Sequence, residues 1–276
     1  MLKAASFSFH TYLVHERLKP FVKKIWTFEN TAKMLNSDLN LIAPNGEIKM
    51  IISYRNGMRS TIGNIDRDHK ENRCFIIGLH TTSGIMDWDM NYGSIGVEFK
   101  PFAACRFFKF PLIEIRNNIY NVSELLNQRG TELEDQIAEI EEVSGKVEFV
   151  QKFLATQIRS DAESDSVVEF AVNRIISTSG LIKYGTLSSE IGYSTRQLNR
   201  RFTEVVGLNP KEFSNIIRFD RIFRNMKTGN FVDNEFYDAY YDQSHFIKHF
   251  RNVTGMTPKR YIESTNVAAE IFYSNK

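Results

Sequence analysis

Several features that define whole classes of protein are missing from this sequence of 276 residues. It holds only two cysteines, too few for the disulfide framework of a small secreted domain, and this scarcity favours a reducing, cytoplasmic compartment. No window offers about 18 uninterrupted apolar residues, and the first residues lack the apolar core of a signal peptide. We therefore expect neither export nor a membrane span.

An excess of charge of one sign is missing as well. The 35 Lys and Arg residues are nearly balanced by 33 Asp and Glu, which leaves a net charge of +2. This value is too small to indicate a nucleic-acid partner by itself, because such proteins usually carry a strongly basic domain. With 42% hydrophobic residues the chain is ordinary for a globular protein, so wholesale disorder is excluded.

Clusters of catalytic or metal-binding residues are scarce. A metal-dependent oxygenase would need a cluster such as two histidines and a carboxylate. The N-terminal half has no His-x-His spacing among its four histidines, which are His10, His15, His69 and His80. His245 and His249 have the spacing of metal ligands on a helix, but no further ligand is evident beside them. We expect no catalytic site, no metal and no cofactor.

The first half of the chain has the texture of a β-sheet domain. From Phe21 to about Phe110, short apolar runs such as 48–54 and 74–79 alternate with turn signals, which predicts six to eight strands in a sandwich or small barrel. Helical spacing follows. Residues 131–150 carry seven Asp and Glu against one Lys, and we interpret them as a solvated helical face or an exposed connector.

Four aromatic residues of this half have two interpretations. They line a small-molecule pocket or they fill the core, and core packing is the ordinary account for most of them: Trp26, Phe28, Trp88 and Phe99.

A polar segment divides the two halves. Residues 157–166 contain a single large aliphatic side chain, and we interpret them as a linker. The predicted domains are therefore residues 1–156, β-rich with trailing helices, and residues 167–276, in which apolar spacing is helical throughout. The predicted fold class is α+β.

A segment near the end of the chain occurs twice. Residues 198–213 recur 48 positions later as residues 246–261, with five identical pairs among sixteen. Each copy has a glycine suited to end a helix, followed by an N-cap residue and a proline at the first position of the next helix. Before the first copy, an apolar stripe broken at 192–194 completes a helix-turn-helix pattern. We predict two such units, joined by a helix from Lys211 to about Met226.

The second helix of each unit has a polar outer face. In the first unit Leu198 and Phe202 must face inward, and in the second unit Phe246 and Phe250 take that part. Arg can read guanine and Asn can read adenine in the major groove, while Thr and Lys suit bases or phosphates. The candidate DNA-binding residues are Thr195, Arg196, Asn199 and Arg200 in the first unit and Gln243, Ser244 and Lys248 in the second. A solvated helix face remains the alternative for either copy alone.

The motifs Ser194-Thr-Arg-Gln-Leu-Asn-Arg-Arg-Phe202 and Tyr241-Asp-Gln-Ser-His-Phe246 carry a resemblance. Together with the Gly-x-x-Pro segments that follow them, they resemble the C-terminal DNA-binding domain of the AraC/XylS family of transcriptional regulators. The front half is similar to the sensor-like domain of one branch of that family, through Phe21-Val-Lys-Lys-Ile-Trp26 and Gly96-Val-Glu-Phe-Lys-Pro101. The resemblance implies base contacts from Arg196, Asn199 and Arg200 and from Gln243, Ser244 and Lys248.

The second unit departs from the family pattern on its scaffold helix. Asn234 stands where the family has an aliphatic residue, Glu235 where it has a small one and Ala239 where it has glycine. We therefore expect the first unit to carry most of the sequence specificity and the second to be the adjustable one.

These observations predict a bacterial DNA-binding transcriptional regulator of the AraC type, an activator and not an enzyme. Its partners would be double-stranded DNA and RNA polymerase, with a small-molecule effector and a homodimer as further candidates. The rival hypothesis is a small-molecule-modifying β-barrel enzyme with a helical assembly module. A protein-interaction module without a ligand is a third alternative. The effector, the operator, the regulated genes and the oligomeric state stay open, as do the choice between activator and repressor and the question whether the second unit reads bases.

Overall fold

The computed structural model describes residues 7–31, 40–63, 65–159, 165–228, 240, 242–264 and 266–274. Among its described residues, the first half holds ten strands: β1 (Phe7–Tyr12), β2 (Val22–Asn30), β3 (Leu41–Ile42), β4 (Lys49–Arg55), β5 (Met58–Ile62), β6 (Ile65–His69), β7 (Arg73–Ile77), β8 (Gly84–Trp88), β9 (Gly93–Phe99) and β10 (Ile119–Asn121). Eight of them, β2 to β9, lie between Phe21 and Phe110, which agrees with the predicted six to eight, and β1 and β10 lie outside that range.

The strands form two antiparallel sheets. One has the order β1-β2-β9-β4-β7-β10 and the other the order β3-β8-β5-β6. Side chains alternate across the larger sheet, as the geometry of a strand requires. On β4, Met50 and Ile52 face a core shared with the helices, whereas Ile51 faces the smaller sheet, in one cluster with Met58 and Met86. The predicted β-sandwich is therefore confirmed, and its larger sheet is covered on both faces.

In the described part of the chain ten α-helices follow the strands, and a short 3₁₀ helix, Leu112–Ile115, precedes β10. The helices are α1 (Val122–Leu126), α2 (Gln128–Glu139), α3 (Val143–Gln157), α4 (Ser166–Ser177), α5 (Tyr184–Ile191), α6 (Thr195–Val206), α7 (Pro210–Thr228), α8 (Gln243–Thr254), α9 (Pro258–Glu263) and α10 (Val267–Ser274). Within the described ranges, none of the helices combines the length and apolarity that a membrane crossing requires.

The acidic stretch of residues 131–150 is only partly solvated. Glu134 on α2 is buried, where its carboxylate accepts hydrogen bonds from Arg73 Nη1 at 2.7 Å and from the backbone nitrogen of Cys74 at 2.9 Å. Lys146 on α3 is also buried and donates to the carbonyl oxygen of Ile137. The other six Asp and Glu residues of the stretch are exposed, as expected for a solvated face, and Glu134 is the exception because buried donors lie opposite its carboxylate.

One hydrophobic core runs from the sandwich into the helical half. Val150 and Leu154 on α3 belong to the same cluster as Leu198 and Phe202 on α6. Helix α3 ends at Gln157 and α4 begins at Ser166. The division into residues 1–156, 157–166 and 167–276 stays a prediction, because the two halves pack as neighbours in one core.

Candidate functional site

The first helix-turn-helix unit consists of α5, α6 and the tight turn between them. Gly192 ends α5 in the left-handed conformation, with φ +74°. Ser194 begins α6 with a capping box: its Oγ accepts from the backbone nitrogen of Gln197 at 3.3 Å, and the Gln197 side chain accepts from the Ser194 nitrogen at 3.0 Å. The predicted start and stop signals of this unit are confirmed.

The outer face of α6 carries the predicted DNA-binding residues of the first unit. Leu198 and Phe202 are fully buried, and this fixes the rotation of the helix about its axis. The opposite face is solvent-exposed and presents Thr195, Arg196, Asn199 and Arg200 together. Arg201, next to them in sequence, instead holds Asp165 Oδ2 at 2.8 Å and the Tyr193 hydroxyl at 3.1 Å. Arg201 therefore has a structural role, whereas Arg196 and Arg200 point outward into solvent.

The second unit repeats this geometry on α8. Asp242 caps the helix by accepting from the His245 nitrogen at 2.7 Å, and Gly255 ends it with φ +77°. Phe246 and Phe250 are buried. The exposed face presents Gln243, Ser244 and Lys248. The positions at which the sequence departs from the family pattern, Asn234, Glu235 and Ala239, lie outside the described residues.

Helix α7 joins the two units. Asn209 Oδ1 accepts from the Glu212 nitrogen at 2.9 Å, and Glu212 accepts in return from the Asn209 nitrogen at 3.1 Å, so the helix begins with a capping box at Pro210. The predicted linker helix is confirmed. Its counterpart after the second unit begins at Pro258, capped by Thr257.

The N-terminal half holds each unit at a different place. Arg116 binds Glu212 at the start of α7 with two hydrogen bonds, of 2.7 and 3.3 Å. Gly207, which ends α6, lies so close to the backbone of Leu112 that a Cβ there would stand 2.8 Å from its carbonyl carbon. On the second unit, the Ser83 nitrogen donates to the Val253 carbonyl oxygen of α8 at 2.7 Å. Both reading helices are therefore in contact with the sandwich half.

Strand β3 also links the sandwich to the second unit. Leu41 belongs to the core of the second unit, together with Phe223 and Phe250, whereas the neighbouring Ile42 packs against the core of the sandwich. Because successive side chains of a strand point to opposite sides, two adjacent residues serve two cores.

A cavity of about 1000 Å³ lies between the two sheets and opens towards α7. Its inner part is an aromatic chamber, lined by Trp26, Phe28, Phe75, Trp88 and Tyr92 and reached by Phe272 of α10. Trp26, Phe28 and Trp88 therefore line a cavity, whereas Phe99 lies in the core that faces the helices. All four aromatic side chains are buried in a hydrophobic core, as interpreted, and Trp26, Phe28 and Trp88 also border the cavity. No local sequence pattern indicates that α10 contributes to this cavity.

The rim of the cavity is charged. It is lined by the cations Lys23, Lys24, Lys49, Arg221 and Arg224 and by the acids Glu47, Glu98 and Asp220. Glu98 accepts from the Trp26 indole nitrogen at 2.9 Å. Burial, aided by the neighbouring Glu47 carboxylate, raises its pKa. Lys23 is paired with Glu47. Cations outnumber acids, so the rim is suited to an anionic group.

His80 is a further polar group of the cavity wall. Both of its ring nitrogens are buried and have no hydrogen-bond partner within the described part of the chain. Burial lowers its pKa to about 4, with a contribution from Lys49. A buried polar side chain without a partner is costly, and here it borders a space that a ligand can fill.

Two of the histidines have hydroxyl groups as hydrogen-bond partners. His69 Nε2 lies 2.8 Å from the Ser60 hydroxyl, and His249 Nδ1 lies 2.8 Å from the Tyr240 hydroxyl. Among the residues that the structure describes, no group of three or more His, Cys, Asp or Glu side chains has the arrangement of a metal site.

A complete helix-turn-helix unit and a second capped helix, α8, both with exposed polar faces and attached to a β-sandwich, define the class: a DNA-binding protein with a second, cavity-bearing domain. Residues 187–264 match the family model described as a helix-turn-helix domain. The C-terminal domain is thus a helix-turn-helix domain of the AraC type, and the resemblance seen in the sequence is confirmed. Residues 10–121 match a family described as a domain of unknown function, DUF6597.

Solved structures similar to the chain include ToxT from Vibrio cholerae. One has 13% identity and a TM-score of 0.45, and it covers 94% of this chain and 98% of ToxT. A structure of ToxT with a bound unsaturated fatty acid has 14% identity and a TM-score of 0.41, covering 96% and 98%. CuxR, an AraC-like transcriptional activator, has 14% identity and a TM-score of 0.27, covering 85% and 91%. These scores carry no inference about function. No curated protein sequence matches the chain.

Proposed function

We propose that the protein is a sequence-specific, DNA-binding transcriptional regulator of the AraC type, whose N-terminal domain modulates DNA binding or transcription through a small-molecule effector. The observation that carries the proposal is the pair of capped helices α6 and α8, each with a polar exposed face. Such a face on one helix is ordinary, but its duplication at the same place in two units favours two readers of one DNA site.

Each part of the interface has its own role in this mechanism. Arg196, Asn199 and Arg200 read base edges in the major groove, and Thr195 contacts a base or a phosphate. Gln243, Ser244 and Lys248 do the same for the second unit. Helix α7 has 19 residues, which corresponds to a length of about 28 Å. This approaches the separation of about 34 Å between successive major grooves on one side of DNA.

The remaining parts of the proposal concern the surroundings of this interface. The regulator acts in the cytoplasm, where a bacterial chromosome lies, and an activator of this kind contacts RNA polymerase. A homodimer is a candidate assembly. We assign the chain no catalytic reaction.

The cavity supports the effector part of the proposal. Its volume of about 1000 Å³ is at the upper end of the usual range for small-molecule sites. Rings line the interior, cations predominate at the rim, and His80 offers two ring nitrogens to a polar group. The chemical class that fits is an amphipathic anion with an apolar, partly aromatic body.

A gel-shift experiment on DNA sites selected from a random pool tests the DNA-binding part. Replacing both Arg196 and Arg200 by alanine removes two exposed guanidinium groups, and we expect a loss of affinity of about 2–6 kcal/mol on the selected site, together with relaxed sequence preference. The control is the double variant Arg17→Ala and Arg67→Ala, which removes the same charge from exposed positions of the sandwich. Equal affinities and equal sequence preference for the two double variants would contradict the mechanism.

A further inference from the structure

Helix α10 follows the second helix-turn-helix unit and packs both against the core of that unit, through Ala269, and against the sandwich. Ala268 and Ile271 are buried in the same cluster as Trp26 and Phe28. The Phe272 ring enters the aromatic chamber, with centroids 5.2 Å from Trp26, 5.6 Å from Phe28 and 6.1 Å from Trp88. The end of the DNA-binding domain therefore occupies part of the cavity of the other domain.

Polar contacts on both sides of Phe272 fix this position. The Asn266 side chain accepts from the Leu41 nitrogen at 3.2 Å and donates to the Leu41 oxygen at 2.9 Å, so it pairs with β3 as a strand would. The Tyr273 hydroxyl accepts from the Ala43 nitrogen at 2.8 Å and donates to the Ala43 oxygen at 3.2 Å. Both side chains thus bind the segment whose Leu41 also completes the core of the second unit.

Resting on the proposed effector site, we propose that α10 is a displaceable plug: an amphipathic aromatic anion entering the chamber expels Phe272 and so loosens the second helix-turn-helix unit from the sandwich. The phenyl ring and the body of such a ligand compete for the same rings. A ligand can shift this equilibrium because it binds the unplugged state better than the plugged one.

The two helix-turn-helix units are attached to the sandwich half at different places, and this explains why expelling Phe272 affects only the second unit. The first unit is held through Arg116 and Leu112, on the far side of the core from the chamber. The second unit is held through Ser83 and through the β3 segment, to which α10 is itself bound. Expelling Phe272 weakens the second attachment and leaves the first in place.

Tryptophan fluorescence of the full-length protein reports on the plug directly. Both tryptophans of the chain, Trp26 and Trp88, lie against Phe272. We use 8-anilinonaphthalene-1-sulfonate, an apolar aromatic anion, as the probe. Because the wild-type protein must first expel a partly buried ring, we expect Phe272→Ala to bind the probe roughly tenfold more tightly than wild type. Phe170→Ala removes a half-exposed ring from α4 and is the matched control, with unchanged affinity.

Hydrogen exchange measured by mass spectrometry tests the coupling in the same samples. We expect saturating probe to lower amide protection in wild-type α10 and α8 and to leave α6 unchanged. Asn266→Ala, which removes a clamp but keeps the phenyl ring, gives the same pattern without probe. A probe affinity equal in wild type and Phe272→Ala, absence of binding to both, or probe binding with α10 still protected overturns the plug. None of these results depends on DNA, so a failed gel shift would overturn the proposed function and leave the plug testable.

Discussion

Adding one methyl group at equivalent positions of the two units should have unequal effects on stability. Gly207 and Gly255 end α6 and α8 with φ values of +83° and +77°. Placing alanine in the left-handed backbone conformation costs about 1–2 kcal/mol at either position. About 0.4–1 kcal/mol of this cost is offset because alanine lowers the conformational entropy of the unfolded chain. The net loss common to both variants is therefore about 1 kcal/mol.

The surroundings of the two glycines differ. A Cβ at Gly207 would lie 2.8 Å from the carbonyl carbon and 2.9 Å from the oxygen of Leu112, whereas a Cβ at Gly255 meets nothing within 4 Å in the described structure. Backbone atoms of the 3₁₀ helix cannot turn aside as a flexible side chain would. Overpacking of this kind costs about 1–3 kcal/mol, so Gly207→Ala should lose about 2–4 kcal/mol in total.

Thermal unfolding followed by circular dichroism measures the difference. For a chain of this size we expect the midpoint to fall by roughly 5–10 °C for Gly207→Ala and by roughly 2–4 °C for Gly255→Ala. Equal shifts would refute the reasoning, because they would mean that α6 does not rest on Leu112. A larger shift for Gly255→Ala would show that the second unit is the more tightly enclosed one.

Two further variants test buried polar groups. Glu134→Ala removes the acceptor for donors on Arg73 and Cys74, so urea unfolding should show that the free energy of unfolding falls by about 1–3 kcal/mol. The control is Glu132→Ala at an exposed neighbouring position, which should change this free energy by no more than about 0.5 kcal/mol. Similar losses for the two variants would contradict the role of Glu134. Burial lowers the pKa of His80 from 6.5 to about 4. As the pH falls from 7 to 5, His80 is therefore protonated in the unfolded chain but stays neutral in the folded protein, and this favours unfolding. Over this range the wild type should lose about 2 kcal/mol more stability than His80→Gln. Parallel pH profiles would show that His80 stays accessible to protons.

The helical signals were readable because they are local. Ser194 and Gln197 form their capping box within four residues, and the glycines that end α6 and α8 have no Cβ to oppose a left-handed conformation. The candidate reading faces followed from the same spacing, since burying Leu198 and Phe202 leaves only one side of α6 for DNA. Whether those residues contact bases is a prediction that the gel shift addresses.

The cavity was not readable in this way. Its lining comes from both sheets, from Arg224 on α7 and from Phe272 on α10, and these residues meet only through long-range packing. Aromatic residues in strands have the same sequence pattern whether they line a cavity or fill a core, as Trp26 and Phe99 show. The burial of Glu134 was hidden for a related reason, because its donors lie 60 and 61 residues away in the sequence.

Strand β3 has a consequence for dissecting the protein. Leu41 and Ala43, from the first half of the chain, pack in the same core as Phe223 and Phe250 of the second helix-turn-helix unit. A fragment that starts at residue 167 would leave those rings open to water, and exposed apolar surface of this kind promotes aggregation. This isolated C-terminal fragment should therefore be poorly soluble. Adding a short peptide that spans β3 as a separate molecule should improve its solubility.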